Sequence, residues 1–249
     1  MPQYLSVFKR VVIVWLLFSL SQETVSNDQL WFPRVREAKE RKDVLLKRLF
    51  SEKNITYPPS QLFLRIFKAE NVLEVWASDK NSSDFTHIKT YTVCTMSGEL
   101  GPKRKEGDEQ VPEGFYQIGT LNPVSAYHLS MYVNYPNTSD RKLSRYDRLG
   151  GDIYIHGDCK SIGCVAINNS QIEELYWLVA QVKPKSKIPV HIFPTRLSDM
   201  KFNILSRLYR NEPDLLRFWD NLKSGYDFFE KNQYPPKIHY SDDGYYQFN

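Results

Sequence analysis

Apolar and polar residues follow three rhythms along this chain, and the changes of rhythm divide it. Over residues 28–53, Val35, Ala38, Leu45, Leu46 and Leu49 recur at helical spacing among Lys, Arg and Glu, which predicts an amphipathic helix. Two prolines in "ITYPPSQ" stop it, since proline cannot continue the hydrogen-bond ladder. From Leu62 the period is two. "LFLRIFKAE", "VLEVWAS" and "FTHIKTYTVC" read as antiparallel meander strands, with turns at Glu70-Asn71 and over residues 79–83. "FYQIGTL", "AYHLSMYVNY" and "GGDIYIHG" read as three more strands. Beyond residue 167 the helical period returns. Ser170 and Glu173 fit a capping box, and Ile172, Leu175, Tyr176 and Val179 line one face. "IPVHIFP" predicts a short buried strand, and helices begin near Ser198 and Pro213, the second carrying Leu215, Phe218, Trp219 and Leu222. The pattern is α+β and mostly β, with helices at both ends.

The first residues stand apart. Lys9 and Arg10 precede an apolar run over residues 11–20 that is short for a bilayer span, and Thr24-Val25-Ser26 offers small residues for cleavage. Residues 1–26 therefore read as an export signal, followed by a helical segment (27–58), a strand-rich catalytic domain (59–196) and a helical cover with a tail (197–249). No further apolar run would span a membrane in the mature form. A net charge of +4, lowered by one without the signal, is too mild and scattered to select nucleic acid. The three cysteines, Cys94, Cys159 and Cys164, are an odd number, so in an oxidising compartment at least one stays unpaired within the chain.

Two of those cysteines fall in "YIHGDCKSIGCVAI", residues 154–167. As metal ligands, His156, Cys159 and Cys164 lack the second paired element that structural zinc sites use, so no metal is expected. A Cys159–Cys164 disulfide would close a very small loop and block the thiol; spacing alone would let Cys159 trap Cys164 under oxidation. As buried core residues, they leave the two adjacent glycines without a purpose. As nucleophile and base they explain more of the stretch. A strand ending at His156 fixes the imidazole, Gly157 lets the backbone turn, and its carbonyl would orient one ring nitrogen. A neighbouring imidazolium would acidify the Cys164 thiol, and Gly163 would let amides approach a developing oxyanion. The chemistry is acyl transfer through a thioester, which needs no cofactor.

These residues resemble the H-G…S-x-G-C signature of the L,D-transpeptidase catalytic domain, the YkuD-type fold, and are most similar to its YafK-like subgroup. "EGDEQVPEGFYQI", "LNPVSAYHLSMYVNYPN" with "DR" following, "VHIFP" and "FWDNLKSGYDFFE" carry the resemblance over roughly residues 60–230. It implies a β-sandwich or barrel core around a groove, Cys164 as nucleophile, His156 as general base, Gly157 as orienting carbonyl, and Ser161 and Gly163 as oxyanion and loop-shaping residues. The implied substrate is the peptidoglycan stem peptide, attacked at the diaminopimelate carbonyl, in the periplasm. The widespread motif reads S-H-G-C-[IV]-R, whereas here Ile162 replaces that histidine and Ala166 that arginine. Losing the arginine tilts the reading toward hydrolysis: release of peptidoglycan-linked lipoprotein, or L,D-carboxypeptidase action. The alternatives are transpeptidation and, in another class, a non-catalytic cell-wall peptide-binding module.

Four further residues are candidates for substrate contact. His128 reads as a strand residue near the groove, and Tyr135, Asp140 and Arg141 carry groups suited to a zwitterionic D-centre. "GPKRKEGDEQVPEG", residues 101–114, reads as a solvated hairpin loop able to gate the groove. The leading helix reads as a cover for the core.

Overall fold

The leading helix starts one turn later than its apolar spacing predicts, because of a proline. Asp28–Trp31 form a 3-10 turn, and α1 runs Pro33–Glu52 with Pro33 in its first turn. Proline suits that position but holds the residue before it extended, and Phe32 sits at φ −89°, ψ 126°, so the two pieces do not merge. The computed structural model describes residues 28–79, 82 and 84–249; the expected export signal lies outside the described residues.

The expected meander forms: β1 (Gln61–Phe67), β2 (Val72–Ser78) and β3 (Thr86–Thr92) pair antiparallel, β1 with β2 from Gln61↔Ser78 to Phe67↔Val72. β4 (Thr95–Met96), β5 (Gly114–Asn122), β6 (Ser130–Val133), β7 (Tyr154–His156), β8 (Val165–Ala166) and β9 (Pro189–Phe193) complete a sheet in the order β3-β2-β1-β9-β5-β6-β7-β8-β4. Its outer strands β3 and β4 are separated in the chain only by Val93 and Cys94. A sheet whose two edges are chain neighbours must curl back on itself, and β5 is where it turns. β5 pairs with β9 from Gly114↔Ile192 to Gln117↔Pro189, then with β6 from Ile118 onward through a register shift between Ile118 and Leu121. The result is the expected α+β, mostly β architecture, a half-barrel with helices at both ends.

Local chemistry moves several boundaries. β6 is shorter than its alternation predicts because His128 has φ +69° and sits in a bend before the strand. The short helix α2 (Thr138–Leu143) was not legible. α3 (Asn169–Val182) is capped by Asn168 and Gln171, two residues before the expected box at Ser170 and Glu173. Glu173 instead binds Arg41 of α1 and His128. α4 (Asp199–Leu208) and α5 (Pro213–Asn232) start where expected, and the tail forms a hairpin of β10 (Ile238–Tyr240) and β11 (Tyr246–Phe248).

α3 is buried almost all round, between the sheet and the Val35, Ala38, Leu46 and Phe50 stripe of α1. α5 closes a second cluster, setting Phe218, Trp219, Leu222 and Tyr226 against Phe67, Phe115 and Phe193. Between them runs a charged pin. Lys68 Nζ reaches Glu113 Oε1 (3.0 Å) and the carbonyls of Gly101 (2.8 Å) and Val111 (3.1 Å), while Gly101 N–H and Trp219 Nε1–H donate to Glu113 at 2.7 Å each. Lys103, also buried, pairs with Asp108 at 2.5 Å. The loop over residues 101–113 is therefore anchored from within by buried Lys103 and Glu113, while residues 105–107 and 109 stay exposed as its composition predicts. Burying its polar groups is tolerated because each charge is paired and hydrogen-bonded. Among the described residues no helix is long and apolar enough to cross a membrane.

Candidate functional site

β7 and β8 are parallel neighbours with Ile155 opposite Val165 and His156 opposite Ala166. Extending that register by one residue puts Cys164 level with Tyr154. Side chains two apart along a strand share a face, so Tyr154, His156 and Cys164 project to the same side. They line one open cavity of about 380 Å³ together with Tyr127, Asp152 and Lys160. A second hollow of about 520 Å³ shares Asn122, Asp152 and Tyr154 and extends the groove towards Thr120 and Tyr132.

His156 is 2% exposed, and its Nδ1–H donates to the Gly157 carbonyl at 2.7 Å. That bond leaves Nε2 as the basic nitrogen. The Tyr127 ring packs on the imidazole with centroids 4.7 Å apart. Gly157 is required by space rather than by a turn. A β-carbon there would meet Asn169 Oδ1 at 2.5 Å and the Tyr127 carbonyl at 3.0 Å. Gly163 is the residue needed for its conformation, at φ +89°. The two glycines thus exchange the roles their positions suggest.

Cys164 is half-buried and is the free cysteine; its Sγ lies 3.4 Å from both the Tyr154 amide and the Asp152 carbonyl. Ser161 Oγ accepts from the Cys164 amide (2.8 Å) and donates to the Cys164 carbonyl (2.7 Å), closing the turn before the nucleophile. Gly163 N–H donates to Ser97 Oγ at 2.5 Å. The Gly163 and Cys164 amides are therefore engaged in holding the loop. Cys159 is bonded to Cys94, which overturns both its expected reach to Cys164 and any three-ligand metal set with His156.

Burial is the main influence on both reactive groups. It pulls the His156 imidazole below its ordinary 6.5 and pushes the Cys164 thiol above its ordinary 9.0, the Tyr154 amide opposing the second shift. Burial thus favours the neutral form of each group over the thiolate–imidazolium pair expected from the residue types. Two pH effects follow. The acid limb of kcat/KM should lie below pH 6.5, because a depressed imidazole stays unprotonated further into acid. Iodoacetamide alkylation of Cys164 should climb through pH 9 without levelling near neutrality; a plateau below pH 7 would restore the ion pair.

The four candidate substrate contacts do not line the groove. Asp140 is 0% exposed, caps α2 through the Asn137 amide, and receives the Arg104 guanidinium (3.2 Å) and the Tyr116 hydroxyl (3.1 Å). Burial raises its pKa to about 6, with Arg104 opposing. Tyr135 is buried, its hydroxyl 3.3 Å from the carbonyls of Lys103 and Leu149. His128 Nε2 is 2.9 Å from Glu173 Oε1. Arg141 is exposed on α2. Asp140 and Tyr135 hold the scaffold, and His128 joins α3 to the rim. Arg34 of α1 reinforces that rim, donating to the carbonyls of Ser125 (2.6 Å) and His128 (2.8 Å). Sequence reasoning missed Asp152, Tyr154 and Lys160, whose only signal was proximity to His156 and Cys164, and Tyr127, which only the fold brings to the imidazole. Ala166 is fully buried, leaving no room for an arginine, while Ile162 is 76% exposed on the groove.

Known proteins resemble this chain over most of its length. The L,D-transpeptidase catalytic domain family, YkuD, matches residues 63–192. The Escherichia coli (strain K12) protein named "Putative L,D-transpeptidase YafK" is 37% identical over 183 residues, covering 72% of this chain and 70% of that protein. Among solved structures, the helical cell shape determining protein Pgp2 from Campylobacter jejuni is 22% identical, with 75% of each chain covered and a TM-score of 0.44. Bd1075 from Bdellovibrio bacteriovorus is also 22% identical, over 75% of this chain and 76% of that one, at a TM-score of 0.41. By the family model over residues 63–192 and the 37% identity to the Escherichia coli relative, the chain belongs to the L,D-transpeptidase catalytic domain (YkuD) family.

Proposed function

We propose that this enzyme cleaves peptidoglycan stem peptides at the diaminopimelate carbonyl through a thioester on Cys164. The observation that carries the proposal is that the free Cys164 thiol and a tautomer-fixed His156 line the same open groove. Cys164 Sγ attacks the carbonyl carbon as His156 Nε2 takes the thiol proton. The tetrahedral intermediate collapses, the C–N bond breaks, and His156 returns the proton to the leaving amine. Water, deprotonated by the same imidazole, then attacks the thioester and releases the acid and the thiol.

Hydrolysis is favoured over transfer to an amine. The widespread motif's arginine is replaced by buried Ala166, and its histidine by exposed Ile162, so neither motif cation is present. The products would be peptidoglycan freed of its attached lipoprotein, or a stem peptide shortened by its terminal D-alanine. The exposed Cys94–Cys159 disulfide supports a periplasmic location, since such bonds persist in oxidising compartments.

Incubating the protein with lipoprotein-linked sacculi and with tetrapeptide muropeptides, read by mass spectrometry, tests this. Released lipoprotein or lost D-alanine is the expected result. New cross-links would establish transpeptidation instead, and no product from either substrate would remove the reading.

A further inference from the structure

Three contacts tie the nucleophile's loop to the seam where the sheet closes on itself. Cys159 is bonded to Cys94, Thr95 Oγ1 donates to the Cys159 carbonyl at 2.9 Å, and Ser97 Oγ accepts from Gly163 N–H. Residues 94–97 come one residue after β3, and β4 pairs with β8 through Thr95↔Ala166 and Met96↔Val165, immediately beyond Cys164.

The loop needs such support. Asp158 (φ +65°) and Cys159 (φ +44°) are consecutive non-glycine residues in the left-handed region, which a side chain disfavours unless its surroundings impose it. Asp158 is held by its amide on Asn169 Oδ1 at 2.8 Å. Cys159 is held by the disulfide and by Thr95. Both cysteines are exposed, so a reductant can reach the bond, and exposed disulfides belong to the more labile class.

We propose that the Cys94–Cys159 disulfide is a positioning element for Cys164 and a redox switch of the site: opening it by a dithiol reductant relaxes the 157–163 loop and suppresses turnover while Cys164 stays a thiol. A reductant thiolate attacks one cysteine sulfur and the Cys94–Cys159 bond breaks. The reductant's second thiol then displaces that sulfur. Two electrons pass from dithiol to disulfide, the reductant leaves as its own disulfide, and Cys94 and Cys159 each end with a proton. Only the turnover arm of this proposal rests on the acyl transfer proposed above.

The two consequences run in opposite directions. Cys164 gains solvent and is alkylated faster, whereas its alignment with His156 and the substrate is lost. The experiment titrates the folded full chain with dithiothreitol and follows three signals. These are hydrogen exchange over residues 157–167, iodoacetamide alkylation of Cys164 resolved by peptide mass spectrometry, and turnover of peptidoglycan fragments. The expected result is faster exchange, alkylation of Cys164 about tenfold faster, and kcat about tenfold lower with KM changed less, all reversed on reoxidation. The Cys94→Ala/Cys159→Ala variant should show the reduced behaviour from the start and ignore the dithiol. If it fails to fold, the titration of the wild type decides. Exchange and alkylation unchanged by opening the bond would overturn the proposal, as would equal dithiol inhibition of the double variant. Absence of any product from the oxidised protein would count against the proposed function, leaving exchange and alkylation to decide the switch.

Discussion

Cys164→Ala should abolish turnover, by about 10⁴-fold or more, while leaving the fold in place. The sulfur is the atom that bonds to the substrate carbonyl in the proposed reaction, and no other free cysteine exists among the described residues to replace it. The structural cost is small. The side chain is half-buried, and it gives up only two 3.4 Å contacts, with the Tyr154 amide and the Asp152 carbonyl. Ser161 holds the turn through the Cys164 backbone, which alanine retains. Thermal unfolding should therefore shift by an amount corresponding to about 1 kcal/mol or less. Retained product formation in the sacculus assay would sink the assignment of the nucleophile, whereas a collapsed melting curve would leave catalytic and structural roles inseparable. Cys164→Ser, closer in volume, then provides the folded comparison.

Glu113→Ala should be among the most destabilising single changes. Glu113 is 0% exposed and accepts from the Gly101 amide and the Trp219 indole while facing the buried Lys68 ammonium at 3.0 Å. Removing the carboxylate leaves a buried cation without its counter-charge and two donors without an acceptor. Breaking a buried pair in this way costs about 3–5 kcal/mol. For a domain of this size that lowers Tm by roughly 10 °C, read by calorimetry. The pair itself is not a source of net stability, so Lys68→Met combined with Glu113→Leu should recover part of the loss. Activity should fall as well. The 101–113 loop backs the site: Ser97 Oγ, which holds Gly163, itself donates to the Glu109 carbonyl at 2.7 Å. A Glu113→Ala protein melting within about 1 kcal/mol of wild type would show that the pin is dispensable.

Much of the molecule could be read along the chain, for local reasons. Period-two alternation marked β3, which buries one face, while β1 and β2 stood out as apolar runs buried on both. Helical spacing marked α1 and α5 because each presents a stripe to a core, and α3 because it is apolar almost all round. His156 and Cys164 stood out because a histidine, two glycines and two cysteines in one short stretch have few bland uses. What failed was whatever depended on distant partners. β4 and β8 are two residues long and exist only because the curled sheet brings them together. His128 looked like a strand residue, yet a bend and Glu173 fix it. Asp140 and Tyr135 looked suited to a ligand because charge and hydroxyl chemistry does not reveal burial, and exposed Arg141 because it does not reveal which face of α2 a residue occupies.

The sequence by itself determined an α+β chain, mostly β, with a thiol and an imidazole eight residues apart at a strand end, and a motif without its usual histidine and arginine. Those are properties of order and spacing, which the covalent chain carries. The tertiary structure decided which cysteine is free, which glycine needs a left-handed backbone, and whether the thiol is acidified. Each depends on what curling brings into contact. Closing the sheet sets Cys94 beside Cys159, although 65 positions separate them in the chain. Burial along the same groove then pulls the His156 imidazole down and pushes the Cys164 thiol up, because taking either group out of water disfavours its charged form.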